Sequence, residues 1–352
     1  MHSKRAVGSV CAMSWLGLSL LVAAQTPPAS LADTMTDAFK KRLADYVVSH
    51  YQTPEDFVAS QFKDHDIVFI GEHHNISQNL DFLQALIPRL AGSGVYNLGF
   101  EFALYEDQAK LDKWITAETF DEDLAREISY QRSAVVYVVE RIGVFRAVWQ
   151  VNRQRPKGAR TFRIVGLNRL DGTELLPKDT PLEEMLRVSD KFLGGHRRDM
   201  VNRDWTDVIS KEFIAKGEKA AIYCGSGHSN TKFRLDRRPM TAHFTSMGNF
   251  IYNYIGDRAM TVIMHQGLVE FPKDKNDSAF TAIERLMEGV PKQYRRVALS
   301  TAGTPFGDLP IPAVMGYREG RSSGFRMADY CDGYVFLVPE SEFRPTTSLR
   351  KK

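Results

Sequence analysis

Glu72, His73 and His74 stand side by side in DIVFIGEHHNISQNL, residues 66–80, at the point where an apolar run stops. Three ionisable side chains at the end of a buried segment are costly to hold unless they are paired or used. Imidazoles and carboxylates together suit two kinds of chemistry. They can hold a divalent metal that polarises a carbonyl and lowers the pKa of its bound water. Without metal, a histidine acts as general base while a carboxylate orients it. The same residue types recur downstream: Glu101 between Phe100 and Phe102, His228 in GSGH, and His265 in MHQG. Glu101 reads as ligand, base or structural ion pair, because a carboxylate between aromatic residues needs a partner.

These residues need elements that bring them together. Asp66 to Ile70 read as a short strand ended by Gly71, followed by a helix whose apolar face is Leu80, Leu83, Ile87 and Leu90. VYNLGFEFA then returns as a second strand, so the segment is a βαβ unit with parallel strands. TFRIVGLN, AAIYCGSGH, TVIMHQGLV and CDGYVFLVP read as four further strands, and 106–151 as helical. Thr36 and Thr53 are helix start signals, and 271–291 reads as a pocket-shaping loop. The first strand leads to Gly71 and His74 at the spacing that leads the fourth to Gly225 and His228. That echo points to two related βαβ halves. The expected fold is α/β, a central, mainly parallel sheet with helices on both faces, its ligand cleft beyond the carboxyl ends of the strands.

The first 32 residues differ from the rest. Lys4 and Arg5 precede the run AVGSVCAMSWLGLSLLVAA and the small-residue stretch QTPPASLAD, the pattern of a secretory signal peptide cleaved after Ala24 or Ala32. Residues 33–352 then form one domain, secreted or periplasmic, with no membrane span after cleavage. Removing Lys4 and Arg5 takes the formal charge from +3 to +1. No basic stripe interleaved with aromatic residues speaks for nucleic acid. Cys224 and Cys331 remain after cleavage, enough for one disulfide and too few for a structural zinc site. No GxSxG elbow supports a serine nucleophile. The run Arg197, Arg198, Asp199 with Arg203 and Asp204 reads either as a solvated ion-pair face or as arginines that clamp an anion.

Taken in order, GEHHN, GFE, RRDMVNRDW and GSGH resemble the superfamily that joins erythromycin esterases, ChaN-like haem-binding uptake proteins and the Tiki/TraB metalloprotease relatives. The resemblance spans roughly residues 60 to 270, and the ordered set is more specific than any one piece. The Tiki branch implies metal ligation by His74, Glu101 and His228. The GExH spacing ending at His74 resembles the ChaN branch, whereas erythromycin esterases look like GExxH. The resemblance also implies roles for Arg198 and Asp199. The expected function is hydrolysis of an ester or amide bond in a small molecule or peptide. In it His74, Glu101 and His228 hold a metal or position water, Glu72 is acid or base, and Arg198 steadies negative charge. His73 and His265 are further candidates. The alternative is a binding protein that captures haem or iron for uptake.

Overall fold

The computed structural model describes residues 36–130, 138–173, 176–177, 180–192, 197–232, 235–236, 243–266, 279–311 and 326–347. The expected leader lies outside them. Helices α1 (Asp37–Ser49) and α2 (Pro54–Gln61) come first, each capped as expected: Thr36 accepts from the Phe39 amide and Thr53 from the Asp56 amide, both at 3.2 Å. Strand β1 (Ile67–Glu72), helix α3 (Ser77–Gly92) and strand β2 (Asn97–Leu104) form the anticipated βαβ unit. Leu80, Leu83, Ile87 and Leu90 of α3 are all buried in the core that covers one face of the sheet.

The stretch 106–151 is broken into α4 (Gln108–Trp114), α5 (Glu122–Tyr130) and the start of α6 (Glu140–Gln154), which precedes β3 (Arg163–Asn168). Helices α7 (Leu182–Phe192) and α8 (Arg197–Glu212) lead to β4 (Ala220–Gly225) and the single turn α9 (Ser226–Ser229). After a small ribbon, β5 (Leu235–Asp236) with β6 (His243–Phe244), come α10 (Met247–Ile255) and β7 (Ala259–Met264). Helix α11 (Ala279–Glu288) occupies part of what the sequence suggests is a loop, because Ala282, Ile283, Leu286 and Met287 pack into a second core. Strand β8 (Val297–Ser300), helix α12 (Met327–Tyr330) and strand β9 (Gly333–Phe336) finish the fold.

Seven strands form one sheet in the order β3-β2-β4-β1-β7-β9-β8, parallel except for the antiparallel edge strand β8. The expected α/β class with helices on both faces is what the chain adopts: α3 and α6 cover one face, α8 and α10 the other. The two βαβ units interlock. Strand β4 separates β1 from β2, and β1 separates β4 from β7.

Gly71 does not end the first strand. It pairs with Cys224 and Ile263 inside β1, and a Cβ there would fall 2.3 Å from the Ser229 hydroxyl and 3.0 Å from the Ser226 Cα. The glycine is required by the close approach of α9, and the turn is made later, at Asn75, whose φ is 71°. Cys224 and Cys331 are free thiols buried in different cores and form no disulfide. Among the described residues, no helix is long and apolar enough to cross a membrane.

Candidate active site

Glu72 is the last residue of β1 and His74 lies two residues on, so the strand end brings both side chains to one point. The His74 Nδ1 lies 2.5 Å from Glu72 Oε1, with Glu72 5% exposed and the imidazole 28% exposed. Since the carboxylate can only accept, Nδ1 carries the proton. Burial disfavours the imidazolium, but the Glu72 charge and hydrogen bond outweigh it and push the His74 pKa up to about 9. Burial alone would also raise Glu72, yet His74 overrides this and holds the carboxyl below the usual range. The pair is therefore charged at neutral pH.

Glu101 enters from β2, and its Oε2 accepts the Gly225 amide of β4 at 2.6 Å. Burial pushes this carboxyl up, and the attraction of His74 and the amide bond only partly offset it. Two carboxyls whose environments drive their pKa values apart, with an imidazolium between them, form a division of acid and base labour. Gly225 is the floor of this cluster. Its φ of −56° and ψ of 137° suit any residue, but an added Cβ would lie 3.0 Å from His74 Cε1 and 3.6 Å from Glu101 Oε2. We expect Gly225→Ala to leave the melting temperature almost unchanged and to shift the far-downfield proton resonance of the Glu72–His74 hydrogen bond, because the methyl group displaces the His74 ring. Proton NMR beside thermal melts checks this.

His228 follows Gly225 by three residues, in α9. Its Nδ1 is 2.7 Å from Asn202 Oδ1, and its ring lies 4.7 Å from that of Trp205. The Asn202 amide is oriented from both ends: Oδ1 also accepts the Met247 amide at 3.2 Å, and Nδ2 donates to the Thr245 carbonyl at 3.1 Å. The His228 Nδ1 must therefore donate, which fixes it as the protonated nitrogen facing Asn202. Helix α8 thus supplies Asn202 and Trp205 to the site. Arg198 and Asp199 open the same helix, with side chains outside the described residues.

His73 donates its Nδ1 proton to the His74 carbonyl at 3.0 Å. His265 belongs to another network. It is buried, with Nδ1 2.7 Å from the Tyr334 hydroxyl and Nε2 3.2 Å from Glu284, and burial lowers its pKa. Among the described residues, no three histidine, cysteine or carboxylate side chains are placed to hold a metal ion. His74 faces Glu72 through Nδ1, Glu101 takes the Gly225 amide on Oε2, and His228 faces Asn202 through Nδ1.

One residue escaped the sequence reading. Arg141, on α6, is 3% exposed, with its guanidinium carbon 3.5 Å from the Phe102 ring centroid and its charge facing Glu72 and Glu101. The signal was present. Arg141 stands in line with Val144, Phe145, Val148 and Asn152, all buried on one stripe of the helix, where a cation has no reason to be unless something anionic lies opposite.

No curated protein matches the chain. Among solved structures, one described as a succinoglycan biosynthesis protein is similar with a TM-score of 0.52 at 10% identity, covering 76% of this chain and 88% of its own, and so shares the fold. An erythromycin esterase mutant, EreC, in its open conformation aligns with a TM-score of 0.48 at 10% identity over 81% of this chain and 93% of its own. ChaN of Campylobacter jejuni, in a structure described as binding haem cofacially, aligns at 0.39 and 15% identity over 63% and 89%. Residues 58–138, which hold Glu72, His73, His74 and Glu101, match the family described as haem-binding uptake, Tiki superfamily, ChaN, and bear out the superfamily resemblance drawn from the motifs.

Proposed function

We propose that this chain is an exported hydrolase of ester or amide bonds in small molecules or peptides, working by histidine acid–base chemistry at the strand ends. The observation that carries the reading is the opposite preparation of two histidines. Glu72 accepts the His74 Nδ1 proton and holds that ring as an imidazolium, whereas Asn202 accepts the His228 Nδ1 proton without adding a charge beside it. In this scheme the His228 Nε2 takes a proton from the attacking water. His74 stabilises the negative charge on the carbonyl oxygen and gives its proton to the leaving group. Glu72 stays ionised throughout and stabilises the charged ring.

A second reading is favoured by His73 together with the family match of its segment. A haem-bearing protein binds iron through an imidazole whose other nitrogen donates to a fixed acceptor, and the His73 Nδ1 donates to a backbone carbonyl while the ring is partly exposed. Haem would then be cargo held by His73.

The two readings use adjacent residues, so substitutions separate them. A panel of p-nitrophenyl esters and a hemin titration are run on the wild type, His73→Ala and His74→Gln. The hydrolase reading expects turnover that survives in His73→Ala and collapses in His74→Gln. The cargo reading expects a Soret shift that saturates near one equivalent and is lost in His73→Ala only. Turnover of every ester absent from the wild type would sink the first.

A further inference from the structure

Arg141 comes from no motif that suggested the site, and it reaches the site from behind. Helix α6 carries it inward on a buried stripe with Val144, Phe145 and Val148, where it is a charged side chain in the core. Its guanidinium lies over one face of Phe102, and Phe102 meets the ring of His74 in a T-shaped contact, with centroids 5.6 Å apart and planes at 77°. Arginine, phenylalanine and histidine thus touch in sequence, face to cation on one side and edge to face on the other, with the cation at the closed end and the imidazole at the open end. Phe102 also packs on Phe100 and Tyr223, which fixes it against sideways movement.

We infer that Arg141 is a positioning residue for the hydrolytic site, setting the orientation of His74 through Phe102 and neutralising the paired carboxylates Glu72 and Glu101 from beneath. The inference rests on the hydrolase reading for its kinetic consequence and on these contacts alone for its structural one. Two buried carboxylates facing a single imidazolium leave the cluster short of positive charge, and a fixed cation corrects this without occupying the cleft. A planar guanidinium suits both tasks, since it lies flat on an aromatic face while its charge reaches past the ring edge. A lysine retains the charge and loses the plane.

The test uses the full chain as Arg141→Lys and Arg141→Met. The first readout is the far-downfield proton resonance of the short, charge-assisted Glu72–His74 hydrogen bond, which reports ring orientation without any substrate. The second is kcat and KM on p-nitrophenyl butyrate, with thermal melts alongside. The expected result is a folded Arg141→Lys protein whose resonance is shifted or broadened and whose kcat is about ten- to a hundredfold lower with KM within about twofold. Arg141→Met is expected to show the same changes more strongly. A folded Arg141→Lys protein with an unmoved resonance and wild-type kcat overturns the inference, whether or not Arg141→Met folds. If the wild type turns over no ester but the resonance moves as expected, the hydrolase reading fails and the positioning role stands.

Discussion

Replacing His74 with glutamine is expected to lower kcat on ester substrates about 10²- to 10⁴-fold while the protein still folds. The amide can keep donating to Glu72, so the buried carboxylate is not left without a partner, but it can neither carry the imidazolium charge nor release a proton. Alanine is the harsher change. Removing one member of a buried pair costs about 3–5 kcal/mol, which would confuse lost chemistry with lost fold. The comparison is made with kcat at saturating substrate and circular dichroism melts. A glutamine variant retaining more than about a tenth of wild-type kcat would remove His74 from the mechanism.

The second large effect is with pH. Because Glu72 raises His74 to about 9, the imidazolium is nearly complete at neutral pH, and kcat/KM should fall above pH 9 by about tenfold for each further pH unit. Stability follows the same proton. A pKa raised from 6.5 in the unfolded chain to about 9 in the native one means that the native state binds this proton more tightly. The stabilisation is therefore fully present below about pH 6.5 and lost as pH rises through 9. Its size is on the order of 3 kcal/mol. Glu72 shows the other side of the same interaction, counted once: its carboxyl is held below the ordinary 4.5, so the contribution fails again as acid protonates it. Urea titrations at pH 6, 8 and 10 measure the alkaline limb, which should flatten in Glu72→Gln.

The strands that form the centre of the sheet were legible because each is a continuous apolar run, as buried parallel strands are. The site was legible because ionisable residues at the ends of such runs have few structural reasons to be there. What could not be read was governed by distance along the chain. Strand β8 is only four residues, too short for periodicity to tell from a loop. The Gly71 close contact depends on Ser229, and the His228 tautomer on Asn202, neither of which a local pattern reveals. In RRDMVNRDW the eye goes to the charges, whereas Asn202 and Trp205 make the described contacts with His228. Arg141 was overlooked because helical spacing was scored by its apolar members and the exception among them was passed over.

The order of strands governs when this site can exist. Residues 58–138 contain β1 and β2, yet the strand that joins them in the sheet begins at residue 220, and the Glu101–Gly225 bond closes a sequence gap of 124 residues. During synthesis the segment bearing Glu72, His74 and Glu101 is made first, before the strands that pair with it. β3 can pair with the outer edge of β2, but the facing edges of β1 and β2 stay open until β4 slides between them. Folding is thus led by a late, sequence-distant insertion, the slow kind of step that high contact order imposes, and the chemistry switches on only when that insertion is complete.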